Sequence, residues 1–131
     1  LSSPFYRFKE EETKVKEYSK LIKLHIDNLI FNINNFLSKN LSVGFYAGGF
    51  EYGLMLKNQN IRYFDGDEYK IGKSWIIGEP AIESLDNLVN NPVDCLIIFK
   101  PHYFEVIRKR LISIGISDES ILNIDDLSNE R

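Results

Sequence analysis

The chain has one cysteine, one methionine, one tryptophan, two histidines and four prolines in 131 residues. Each shortage excludes something. With only Cys95, no internal disulfide can form, and its place in the apolar run Cys95-Leu96-Ile97-Ile98-Phe99 makes it a small buried hydrophobe rather than a nucleophile. Two histidines, His25 and His102, leave no zinc spacing, and no Ser-His-Asp order or P-loop can be assembled. No stretch approaches the roughly 18 apolar residues of a membrane span. A net charge of −3 argues against nucleic acid as the main partner, because phosphate neutralisation needs a basic face. The cluster Arg108-Lys109-Arg110 is local and reads as a solvated helix face.

What is present fits a globular protein: 44% apolar and 27% charged residues. A chain of this length can bury roughly two-thirds of its unfolded surface without staples. Its start, Leu1-Ser2-Ser3-Pro4, carries neither an initiator methionine nor a secretory pattern. The expectation is a cytoplasmic piece of a longer protein. Residues 1–40 read as an N-terminal helical segment and residues 41–131 as an α/β domain.

In the first segment, Glu10, Glu11 and Glu12 open a helix, where the macrodipole favours acids. Val15, Tyr18, Ile22, Ile26, Leu29, Ile33 and Phe36 follow at helical spacing. Leu21, Leu24, Ile30, Phe31 and Leu37 fall largely off that stripe, so the helix is apolar over much of its girth. It needs cover on more than one side, from a second copy or from a domain outside this sequence. His25, beside the stripe, reads as a packing residue.

From residue 42 strands and helices alternate. Strands are expected near 43–47, 61–65, 93–99 and 121–124, with a short extended segment at Trp75-Ile76-Ile77. Helices are expected near 50–58, 83–90 and 101–114, with Leu85, Leu88 and Val89, then Phe104, Ile107, Leu111 and Ile112, facing inward. Asn90-Asn91-Pro92 stops the second, and Gly115 caps the third. The acidic tail after Asp125 is expected to fray. This order predicts a Rossmann-like α/β fold: a mainly parallel sheet of about four to five strands, helices on both faces and a long helix in front. Its ligand crevice opens at the carboxyl ends of the strands, where loops 47–53, 65–68 and 100–103 meet.

Three groups there are candidate ligand contacts. Gly48, Gly49 and Phe50 form a glycine turn into a helix, which allows close backbone approach to a phosphate. The alternative is a turn packed for its own sake, and Glu51 at its mouth would repel a pyrophosphate. Asp65, at a strand end in Phe64-Asp65-Gly66-Asp67, can accept ribose hydroxyls or form an Asx turn. Asp67 and Glu68 lack the remaining ligands of a calcium loop, so no metal is expected. Lys100 can reach a phosphate, and His102 beside it is a candidate catalytic group.

The stretch from Ser42 to Ile124 also resembles a Rossmann-like domain of bacterial surface-sugar enzymes. The resemblance is carried by Tyr46-Ala47-Gly48-Gly49, Phe64-Asp65, Ile71-Gly72-Lys73, Gly78-Glu79-Pro80-Ala81-Ile82, Asp94 to Phe99 and Phe104-Glu105-Val106-Ile107. It departs at Tyr46-Ala47, where a glycine is usual, and at Gly53, one residue late. It looks like the C-terminal domain of sugar C-methyltransferases and is similar to the nucleotide-sugar-binding domain of amino-sugar acetyltransferases. The resemblance implies a nucleotide or nucleotide-sugar domain of a larger transferase of polysaccharide biosynthesis, with Gly48, Gly49 and Asp65 facing the ligand. S-adenosylmethionine and NAD are the other cofactor classes considered. The competing readings are a ligand-free assembly module that dimerises through the first helix, and a small S-adenosylmethionine-dependent transferase.

Overall fold

In the computed structural model, residues 4–56, 60–74, 78 and 80–129 are described, with side chains from residue 10 onward. Helix α1 (Pro4–Ser38) leads into strand β1 (Val43–Tyr46), helix α2 (Phe50–Leu56), strand β2 (Ile61–Phe64) and a short strand β3 (Ile82–Glu83). Helix α3 (Leu85–Asn90), strand β4 (Cys95–Ile98), helix α4 (Phe104–Ser113), strand β5 (Ile121–Asn123) and helix α5 (Ile124–Asn129) follow. The five strands form one parallel sheet in the order β3-β2-β1-β4-β5. The winding therefore reverses between β1 and β4.

All four residues of β1 and of β4 are buried, as expected for inner strands covered on both faces. Alternation still sorts them. Val43, Phe45, Ile61, Tyr63, Cys95 and Ile97 point to the face covered by α1, α2 and α5. Tyr46, Phe64, Leu96 and Ile98 point to the other, under Leu88 of α3 and Leu111 of α4. At Gly44 the sheet face is filled by a neighbour, since a Cβ there would lie 2.8 Å from Phe64 Cε2 and 3.1 Å from Val93 Cγ2.

Polar clasps set the strand ends. Ser42 N–H and Oγ bond Asp94 Oδ2 at 2.8 and 3.1 Å, and Asp94 N–H returns a bond to Ser42 Oγ at 2.8 Å. The starts of β1 and β4 are thereby aligned. On the outer edge, the Arg62 guanidinium holds Glu83 with two bonds of 2.9 Å and donates to the Asn91 carbonyl at 2.6 Å. Glu83 was expected inside a helix; it is instead the second residue of β3. The helix starts after Ser84, whose hydroxyl caps the Asn87 N–H at 3.2 Å. The extended segment expected at 75–77 lies outside the described residues.

Three further expectations change. The tail after Asp125 forms α5, which lies against α1. Asn28 Nδ2 donates to the Ser128 carbonyl at 3.1 Å and Asn32 Nδ2 to the Leu127 carbonyl at 2.7 Å, so two α1 amides satisfy carbonyls that the end of α5 leaves open. Val89 and Ile112, expected inward, are exposed, because each helix buries only a narrow strip. The chain enters α4 through a 3₁₀ turn at Pro101–Tyr103.

Gly44→Ala should destabilise the domain by about 1–3 kcal/mol through overpacking against Phe64. Chemical denaturation checks it, with a lowered midpoint expected and an unchanged one ruling the close packing out.

Candidate functional site

β1 is followed by three residues of positive φ: Ala47 at 61°, Gly48 at 145° and Gly49 at 88°. Ladder bonds continue on both sides of this corner, from Ala47 N–H to the Phe64 carbonyl and from Phe99 N–H to the Tyr46 carbonyl, each 3.0 Å. The left-handed backbone at Ala47, about 1–2 kcal/mol unfavourable for a residue with a Cβ, is held by those neighbours. The Gly49 carbonyl then accepts from Tyr52 and Gly53 N–H at 3.1 Å, which starts α2. The N–H groups of Gly48 and Gly49 meet no acceptor among the described residues.

The glycines have a packing reason as well. A Cβ at Gly49 would fall 2.7 Å from Phe45 Cδ2 and 2.7 Å from two Phe99 ring atoms, and one at Gly48 would fall 3.3 Å from Phe99 Cβ. Phe99, just after β4, leans on Phe45 with ring centres 4.9 Å apart and stacks on Tyr52 at 5.7 Å. The glycine loop is thus laid over an aromatic ring from the strand across the winding reversal.

Above this ring is an open concavity of about 340 Å³, lined by Gly48, Gly49, Phe50, Glu51, Lys100 and Ile124 among others. Four of the six residues expected in a ligand site therefore come together: Gly48, Gly49, Phe50 and Lys100. His102 does not line it and lies exposed in the 3₁₀ turn. Asp65 lies in another concavity, of about 170 Å³, with Glu68, Asp86 and Arg110. Its Oδ1 accepts the Asp67 N–H at 2.9 Å and its Oδ2 sits 3.6 Å from Lys70 Nζ, so it makes the Asx turn. Asp67 repeats the motif with Tyr69 N–H at 3.0 Å. Among the described residues no three of His, Cys, Asp and Glu group as a metal site. A further hollow of about 490 Å³ beside Asp67, Tyr69 and Lys73 reaches Ser74, next to residues 75–77 outside the described set.

Sequence reasoning missed Tyr46. It is buried, and its hydroxyl and Arg110 Nη1 both approach Gly66, where a Cβ would lie 2.8 and 3.1 Å from them. Burial pushes the Tyr46 phenol up and Asp65 adds to this, while Arg110 and a hydrogen bond with the Gly66 backbone oppose it. No spacing in the chain links residues 46, 66 and 110, because the contact spans β1, the β2 loop and α4. Arg108, by contrast, is clamped to Asp118 at 2.7 and 3.0 Å on the helix surface. Cys95 is buried, which raises its thiol pKa, and Asp94 raises it further. It is therefore a poor nucleophile.

Comparisons with protein-family models, curated proteins and solved structures find no match to this chain.

Two outcomes follow from the site's packing. Gly49→Ala should cost about 1–3 kcal/mol, and with Phe99→Leu the combined loss should be smaller than the sum of the two single losses. A double-mutant cycle in denaturant reads this, and strict additivity would remove Phe99 as the cause. Tyr46 is held neutral in the fold, so its contribution is complete below the ordinary phenol pKa of about 10 and is lost as pH rises beyond it. Tyr52, raised by burial and Glu51, acts with the same sign. Tyr46→Phe should flatten the alkaline fall in stability; an equally steep fall in thermal unfolding would contradict the assignment.

Proposed function

We propose that this chain binds a nucleotide, first of all a nucleotide sugar, in the crevice between the β1 and β4 loops. It would serve as the ligand-holding part of a larger cytoplasmic enzyme that modifies surface sugars. The observation that carries the reading is the meeting of two N–H groups that are unbonded among the described residues, on Gly48 and Gly49, with Lys100 around one concavity. That concavity lies at the reversal of an open parallel sheet, where such folds take their ligands. Backbone N–H groups and an ammonium are the donors a phosphate needs, and Phe50 adds an apolar wall.

Glu51 on the rim repels a phosphate and accepts hydroxyls. The phosphate therefore belongs at Gly48, Gly49 and Lys100, with ribose or sugar towards Glu51. The ribose role that the resemblance implies for Asp65 requires the ligand to take the place of Lys70 at Oδ2. His102 is exposed outside the concavity and takes no catalytic role in this reading.

A thermal-shift panel of UDP-, GDP-, CDP- and dTDP-sugars, S-adenosylmethionine, NAD and coenzyme A tests this. A ligand at about a hundred times its Kd adds about 2.7 kcal/mol, which should raise Tm by roughly 5–15 °C. Lys100→Glu should weaken the responding ligand at least about tenfold, roughly 1.4 kcal/mol, with unliganded Tm unchanged. No response to any ligand, or one indifferent to Lys100→Glu, overturns the assignment.

A further inference from the structure

The crevice assigned to the phosphates does not end at the glycine loop. Two of its wall residues, Tyr52 and Ile124, also line a second hollow of about 220 Å³ between α1 and α5. The two hollows therefore adjoin along these side chains. Tyr52 is held in place as the divide, because its ring stacks on Phe99 with centres 5.7 Å apart. Beyond it the lining changes. Ile26 and Leu29 of α1 give apolar walls, and three polar residues, His25, Asp125 and Ser128, stand among them. A phosphate does not suit this hollow, whose described lining has neither lysine nor arginine and includes a carboxylate. An apolar slot with a few convergent polar groups suits a flat, hydrogen-bonding ring.

The polar groups there have bonding capacity to offer. The backbone of Asp125 is engaged, its N–H donating to Asn123 Oδ1 at 3.1 Å and its carbonyl accepting from Ser128 Oγ at 3.3 Å. Its carboxylate and the His25 imidazole meet no partner among the described residues. A carboxylate accepts two N–H groups side by side, and an imidazole N–H donates. Among the nucleobases, guanine alone sets two adjacent donors, N1–H and the 2-amino group, beside an acceptor, O6. Uracil and thymine place a single N–H between two carbonyl oxygens, which a carboxylate repels. Cytosine and adenine offer one amino group next to a bare ring nitrogen, which it also repels.

We infer that the α1–α5 hollow is the base subsite of the nucleotide crevice and selects guanine, Asp125 accepting N1–H and the 2-amino group while His25 donates to O6. This assignment rests on the nucleotide reading above and narrows it to guanosine diphosphate sugars. The phosphates stay at Gly48, Gly49 and Lys100, the ribose lies by Glu51, and the base passes over Tyr52 and Ile124. The clasp of α1 on α5 through Asn28 and Asn32 is what brings His25 into one hollow with Asp125.

Isothermal titration of the full chain with the diphosphates of guanosine, inosine, uridine, cytidine and adenosine tests it. Inosine differs from guanosine only in lacking the 2-amino group. Guanosine diphosphate should bind at least about tenfold more tightly than each of the others, since a site built around a donor rejects the analogue without it. Asp125→Ala should bring guanosine diphosphate down to the affinity of the inosine compound, with unliganded Tm unchanged. Lys100→Glu should weaken all five alike. Equal affinities that still depend on Lys100 overturn the base subsite and leave the phosphate reading standing. A guanosine preference that survives Asp125→Ala also overturns the subsite. Binding of none of the five overturns both.

Discussion

The rest of the structure depends on β1 being enclosed on all sides. It pairs with β2 on one edge and β4 on the other, and all four of its residues are buried. A strand so placed can carry no charge and must hand its chain to a crossover before the next parallel strand, because parallel neighbours cannot be joined by a tight hairpin. Both faces then need helices. α1, α2 and α5 supply one layer, and α3 and α4 the other. Gly44 is the strand's concession to this crowding, giving its side-chain space to Phe64.

The same crowding shapes the crevice. Phe99 follows the strand beside β1 and occupies the space that side chains on Gly48 and Gly49 would need. Packing requires glycine at Gly49, and positive φ with a tight 3.3 Å approach to Phe99 favours it at Gly48. With the glycines packed downward on the ring, their N–H groups meet no acceptor among the described residues and lie beside Lys100 around the same concavity. Fold and site share residues here, so stability and affinity have to be measured separately.

Side-chain hydrogen bonds do much of the remaining positioning. Asp65 and Asp67 close successive Asx turns, and Arg62 locks the marginal strand β3 to β2. Asn28 and Asn32 fasten the last helix onto the first. Asn28 Oδ1 is buried with no partner among the described residues, an unmet acceptor of the kind that costs about 1–3 kcal/mol. α1 thus serves the domain with its second half only. Residues 10–24 of its first half are all exposed.

By itself the sequence determined the alternation of strands and helices, the doubly buried character of the strand at Cys95–Ile98 and the C-terminal end of the first helix, which starts at Pro4 rather than at Glu10. These follow from local periodicity and from Gly, Pro and Ser punctuation, which act over a few residues. It also located the glycine turn and Lys100, since both sit at strand ends that periodicity marks. Tertiary structure decided what no local pattern encodes. Glu83 became a strand residue because Arg62 and the β2 edge were there to hold it. The tail expected to fray became α5 because Asn28 and Asn32, about a hundred residues earlier, donate to the carbonyls at its end. Asp65 turned to its own loop, and Tyr46 met Arg110 through Gly66. Each of these is a contact between segments far apart in the chain, and its energy exists only once the sheet has brought them together.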